Sequence, residues 1–281
     1  MERNWEELKQ EYLNGNSITK IRKRHKICET RLSEFLKKEG IFRGNTQNER
    51  GTDQTIFEKI DTVEKAYWLG FLYADGAIHS KKNIIAITLK PSDINHLKKF
   101  KTLVKANNKI LLDDISCEYA FSSKKVKQDL IDKGCFCKKS LILKFPTKEQ
   151  VPDEFVIDFI RGYFDGDGSL TYKKQFNQLN HVKTVIGYKP TISILGTESM
   201  LNGIQSYFNT NKKIYHKKGT HENVKILIYE GKNAINFLKK IYYKDCNTYL
   251  DRKMKRYQLF QKFNYAVPVE KSQELLSGNY R

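Results

Sequence analysis

Proline and cysteine are both scarce, five of each in 281 residues. The cysteines, Cys28, Cys117, Cys135, Cys137 and Cys246, are odd in number and none forms a C-x-x-C pair. No histidine pair stands at zinc spacing beside them. That argues against a disulfide framework or a zinc site, and for free thiols in a reducing compartment. Acid is short as well: Asp and Glu number 32 against 51 Lys and Arg, a net charge of +19. A surplus of that size says little about fold, but it points to a polyanionic partner, nucleic acid before others. No apolar run approaches the roughly 20 residues that span a bilayer. The opening "MERNWEELKQEY" is charged, with no signal-peptide core. An intracellular protein is expected, in cytoplasm, nucleoid or organelle matrix, with no membrane partner.

What is present divides unevenly. Over residues 1–43 the spacing predicts three short helices. Trp5, Leu8, Tyr12 and Leu13 form one stripe, Ser17 caps a second helix with Ile18 and Ile21 inward, and Leu32, Phe35 and Leu36 line a third that ends at Gly40. A tight turn before the third helix resembles a helix-turn-helix, and Lys20, Arg22, Lys23, Arg24, Lys26 and Arg31 cluster around it. A small packing or oligomerisation unit would show the same pattern. Residues 44–60 begin polar and Gly/Asn-rich and are expected to be a linker. Apolar density is high from Asp61 to about Tyr265, and 266–281 form an uninformative tail.

The stretch 61–265 says one thing twice. "WLGFLYADG" (68–76) and "IRGYFDGDG" (160–168) are apolar runs with Gly third and Asp-Gly last. After each comes a strand, "NIIAITLK" (83–90) or "KPTISILG" (189–196), then a helix start, "PSD" with Ser92 and Asp93 or "GTE" with Thr197 and Glu198. "EYAFSS" supplies a further strand to the first half; "KKIYH" and "VKILIYEG" do so in the second. "SKKVKQDLIDKG" and "GKNAINFLKKIY" read as closing helices. The second half carries thirteen more residues in its first hairpin, inside the polar and basic "YKKQFNQLNHVKTVIGYK". The fold class expected is α+β: two pseudo-symmetric αββαββα halves, 61–150 and 151–265, with antiparallel sheets, plus the small all-α unit. A pseudo-two-fold molecule can grip both strands of a duplex alike.

As helices, the runs place Gly70 and Ala74, and Gly162 and Gly166, on one face each, so the copies should pack side by side and in parallel. Gly76 and Gly168 are expected in the left-handed turn that ends a helix. Asp75 and Asp167 then meet at two helix C-termini, where the dipole favours a cation and the carboxylates repel. Such a pair suits a divalent metal with oxygen ligands, Mg²⁺, Mn²⁺ or Ca²⁺, and metals beside a phosphodiester can hold an attacking water and a leaving oxygen.

These runs, with "KAYWLGFLYADG", "DFIRGYFDGDGSL", "KGCFCKKS" and "YLDRKMKRY" around them, resemble the signature helices of LAGLIDADG homing endonucleases in their single-chain, two-motif form. Trp68 replaces the first Leu and Tyr73 the sixth-position acid. The resemblance implies two saddle-shaped sheets along the DNA major groove and staggered cutting of both strands by a monomer. It implies Mg²⁺ (Mn²⁺ substituting) at Asp75 and Asp167, with the carbonyls of Ala74 and Gly166 completing the coordination. It also implies one basic residue per half at the scissile region: Lys139 and Lys253 by position, with Lys138 and Arg252 as one-place alternatives. Strand alternation puts Thr191 and Ser193 toward DNA, opposite Ile192 and Ile194, and assigns Thr88 and Lys90 as their first-half equivalents. His79, Lys81, Lys82, Lys173, Lys174 and Lys189 are hairpin bases expected to touch phosphate or base, and Arg22, Arg24 and Arg31 do so from the N-terminal unit. Double-stranded DNA is the partner implied. The alternatives are an RNA maturase acting on intron RNA and a DNA-binding regulator that does not cut. An intein is disfavoured, because no splice-type Cys or Ser opens the motif region and no His-Asn closes it.

Overall fold

The computed structural model describes residues 4–14, 16–42, 51–179 and 182–262. Residues 44–50 of the expected linker and the tail 266–281 lie outside them. The chain divides into two compact units, 1–50 and 51–281.

In the first unit, α1 (Trp5–Leu13), α2 (Ile18–His25) and α3 (Glu29–Lys38) close a small core of Leu8, Tyr12, Ile21, Ile27, Leu32 and Leu36. Leu13, expected inside, is 44% exposed. The Ser17 hydroxyl accepts from the Lys20 amide at 3.2 Å and starts α2. Lys26, at φ 50°, ends it and begins the three-residue turn to α3.

The second unit starts earlier than residue 61: Ile56, Phe57 and Ile60, placed in the linker by composition, are buried in its core. Its elements run α4 (Val63–Asp75), β1 (Gly76–Ile78), β2 (Ile84–Leu89), α5 (Ile94–Val104), β3 (Leu111–Leu112), β4 (Cys117–Ser122) and α6 (Lys124–Asp132). The second half repeats this as α7 (Val156–Asp167), β5 (Gly168–Leu179), β6 (Val182–Gly196), α8 (Glu198–Tyr207), β7 (Ile214–His216), β8 (Lys225–Glu230) and α9 (Lys232–Ile241). The αββαββα order therefore occurs twice. Each half makes one four-stranded antiparallel sheet, ordered β1-β2-β4-β3 and β5-β6-β8-β7. The two-residue β3 and a last helix, α10 (Asp251–Lys262), escaped the sequence pattern. Among the described residues no helix is long and apolar enough to cross a membrane.

The α4–α7 pair forms the seam between the halves, and the helices run parallel. A methyl on Gly70 would land on the Phe159 carbonyl oxygen, and one on Gly162 on the Tyr67 carbonyl oxygen, far inside contact distance. Glycine at these two places lets the backbones touch. Gly76 and Gly168 do not take the expected left-handed turn. Both are extended, at φ −73° and −89°, and lead straight into β1 and β5. Glycine is needed there because a methyl would strike the Leu72 or the Phe164 carbonyl. The start of α5 also differs. Asp93 stands at its N-cap without a capping bond from its side chain, and its carboxylate instead accepts from Arg252 Nε at 2.9 Å. Thr197 does cap α8, accepting from the Met200 amide at 3.2 Å.

Candidate active site

The motif acids are the last residues of α4 and α7. Because the helices are parallel, both acids arrive at one end of the seam; a methyl on Gly166 would stand 3.3 Å from Asp75 Oδ2 and against the Ala74 methyl. Burial and the neighbouring Asp75 charge push the Asp167 carboxyl up to about 6, against the pull of Lys253 and Lys139. Desolvation raises Asp75 too, opposed by Lys253, Lys139 and Arg252.

Lys139 and Lys253 are buried, 7% and 3% exposed. Lys139 Nζ donates to the Gly76 carbonyl, and Lys253 Nζ donates to the Gly168 carbonyl at 2.5 Å. Each lysine thus grips the residue just after its own half's acid, so the two are equivalents by geometry. Lys253 also takes the carbonyls of Phe164 (2.5 Å) and Asp165 (2.7 Å), in the last turn of α7. Burial lowers its pKa to about 8. The one-place alternatives lie elsewhere: Arg252 is engaged by Asp93, and Lys138 is exposed at φ 54°.

The other expected contacts fare unevenly. In the second sheet, Ser169, Thr171 and Lys173 pair with Ser193, Thr191 and Lys189 and share the face away from the buried Leu170, Ile192 and Ile194. Glu230 holds both lysines, at 2.8 Å each. Lys174 is not on that face; it pairs with Tyr188 and shares the side of Tyr172, which packs on Phe260 of α10. The assignment of Thr88 and Lys90 as equivalents of Thr191 and Ser193 is corrected by register. Gly76 pairs with Ile87 and Gly168 with Ile194, so the true equivalents are Ile84 and Ala86. Thr88 shares their outward face and donates to Glu118 at 3.2 Å, while Lys90 falls beyond the strand end. Lys81 and Lys82 are exposed at the β1–β2 turn, but their amides donate to His79 Nδ1, which makes that ring part of the turn. Lys127 of α6, unmarked in the sequence, holds the same turn through the carbonyls of His79, Ser80 and Lys82. In the N-terminal unit Arg22 and Arg24 reach Glu29 and Glu11, and Arg31 lies over the Trp5 ring.

A family model described as a LAGLIDADG-like domain matches residues 154–242. Solved LAGLIDADG structures cover more of the chain. The meganuclease I-AabMI bound to uncleaved DNA is 12% identical, covers 75% of this chain and 97% of its own, and superposes at a TM-score of 0.50. The homing endonuclease I-GzeII in complex with its DNA target is 14% identical over 77% and 99% of the two chains, at 0.48. I-SmaMI bound to an uncleaved DNA target in the presence of calcium ions is 15% identical over 75% and 96%, at 0.48. No curated protein matches the chain significantly. The likeness to I-AabMI shows the fold: two αββαββα halves joined at their motif helices, as in that LAGLIDADG meganuclease.

Proposed function

We propose that the chain is a site-specific, metal-dependent DNA endonuclease that cuts both strands of a long target as a monomer. The observation that carries this is the meeting of Asp75, Asp167, Lys139 and Lys253 at one end of the α4–α7 seam. The donor set fits a divalent cation. It offers two hard carboxylates whose ionised forms desolvation disfavours, Asp167 also through the neighbouring Asp75 charge, a defect that a cation corrects. Asp75 and Asp167 would hold it, together with the carbonyls of Ala74 and Gly166; Gly166 is not among the carbonyls that Lys253 takes. A bound Mg²⁺ or Mn²⁺ would polarise the scissile phosphate and acidify water.

The chain's own groups supply the rest. Lys139 and Lys253, fixed by the carbonyls after each acid, stand ready to stabilise charge on one phosphate each. Ser169, Thr171 and Ser193 offer hydroxyls along the second sheet for positioning and base contacts, whereas the Thr191 hydroxyl is buried. The test is a randomised duplex library incubated with Mg²⁺, the cut ends sequenced, and Asp167→Asn run alongside. Staggered cuts at one long site that need metal and vanish in the variant support the reading. Specific binding with no cuts defeats it.

A further inference from the structure

The motif copies differ at their sixth residue, Tyr73 in one and Asp165 in the other, and both side chains are buried and bonded to the segment that delivers their half's lysine. Asp165, fully buried, accepts from the Leu250 amide at 2.7 Å, from Tyr67 at 2.7 Å and from Tyr242 at 2.5 Å. Leu250 is the residue before α10, and its carbonyl in turn accepts from the amides of Lys253 (2.9 Å) and Met254 (3.1 Å). Asp165 therefore pins the first turn of the helix that carries Lys253. Tyr67 extends the pin into the first half, with its hydroxyl 3.1 Å from His96 Nε2. Tyr73 works with opposite polarity. Its hydroxyl donates to the carbonyl of Lys133, and Gly134 lies so close that a methyl there would collide with that hydroxyl. From this anchor the chain runs through buried Cys135 to Lys139.

We propose that the sixth motif residue is the positioning residue for its half's lysine: Asp165 for Lys253 and Tyr73 for Lys139. An acid holds an amide, a phenol holds a carbonyl, and each anchor fixes where the ammonium group stands. The tether is three residues from Leu250 to Lys253 and six from Lys133 to Lys139. The second half is therefore the more tightly set.

The test is peptide-resolved acetylation kinetics of the lysines in the full chain, without DNA or metal. Asp165→Ala should raise labelling of Lys253 by roughly tenfold or more, the loss of a bond to a charged group, and leave Lys139 unchanged. Asp165→Asn keeps an acceptor but removes a charge that raises the Lys253 pKa, so with rates referred to the neutral amine through their pH profile Lys253 should stay within about threefold of the parent. Tyr73→Phe should raise Lys139 by roughly two- to tenfold and leave Lys253 alone. The proposal is overturned if both lysines speed up together in either variant, if Asp165→Asn behaves as the alanine variant does, or if Tyr73→Phe leaves Lys139 unchanged. Should Asp165→Ala fail to fold, the other two variants still decide.

A second readout rests on the nuclease reading. Asp165→Ala and Tyr73→Phe should each slow the nicking of one strand, and of different strands, with DNA binding kept. A parent protein that never cuts defeats the nuclease reading, while the labelling result stands on its own.

Discussion

β1 and β2 of the first half are 3 and 6 residues long; β5 and β6 of the second are 12 and 15. The halves match element for element at the seam and diverge toward the tips. At the seam each makes the same three-part arrangement: a glycine against the other helix, an acid at the helix end, and a lysine on the next carbonyl. Away from it, the second hairpin carries a bulge at Gln175/Phe176 and exposed Phe176 and Ile186, whereas the first is a short turn held by Lys127. The arrangement at the seam is shared where the reach of the hairpins is not. Backbone-to-backbone packing tolerates no change on one side alone, while a hairpin projecting from a sheet grows at little cost.

The strongest challenge to that equality is to remove one acid at a time. Asp75→Asn and Asp167→Asn should each lower double-strand cutting by roughly 10³-fold, with DNA binding retained, in strand-resolved assays. Full cleavage by either variant would break the symmetry and the assignment. Next in size is the seam itself. Gly70→Ala and Gly162→Ala each push a methyl into backbone that cannot yield, and each should destabilise by about 3 kcal/mol or more in denaturant melts. Equal costs sharpen the comparison; a tolerated alanine breaks it.

The acids differ in one measurable way. Asp167, pushed up to about 6 from an ordinary 3.8, binds a proton more tightly folded than unfolded. Stability of the metal-free protein is therefore favoured below pH 4 and declines as pH rises through 6, by at most about 3 kcal/mol. Asp167→Asn should be more stable than the parent at pH 7.5 and no different near pH 4. Divalent cation should bind the parent more weakly as pH falls through 6, by titration calorimetry.

Smaller effects probe reach. Replacing 176–185 with a short turn should leave the melting curve nearly unchanged, because Tyr172 and Tyr188 keep their packing on α10. It should also shrink the DNA footprint on one side only, and flatten the salt dependence of binding by about 0.9 for each phosphate the shortened hairpin no longer reaches. Deleting 1–43 should flatten that dependence as well. An unchanged slope would separate the N-terminal helices from DNA binding.

Much of the fold was legible in the sequence because the motif is local: Gly, acid and Gly sit at fixed spacing on one helix, and the repeat supplies its own control. The lysines were legible as positions near the end of each half, and the structure distinguishes them from Lys138 and Arg252 through bonds to Gly76 and Gly168. The sheet faces were harder. Alternation places Thr88 and Lys90 on the face opposite Ile85, Ile87 and Leu89, but it carries no register, and the pairing of Gly76 with Ile87 and of Gly168 with Ile194 shifts the match to Ile84 and Ala86. Asp165 was visible only as a motif letter, since its partners Tyr67, Tyr242 and Leu250 are distant in sequence. β3, two residues long, has too little pattern to notice.

The contact between α4 and α7 also bears on how such a chain could be recombined. Because Gly70 and Gly162 present bare backbone, that part of the seam does not read the identity of the partner's side chains. A foreign half with glycine at the matching place could dock there. The bond from Tyr67 to Asp165 does discriminate, since a graft lacking the phenol would strand a buried carboxylate. For anyone building hybrids from halves of different origin, that bond, with the packing of Tyr73 on Phe159 and the Arg252–Asp93 pair, decides which partner fits, while the bare backbone at the glycines does not.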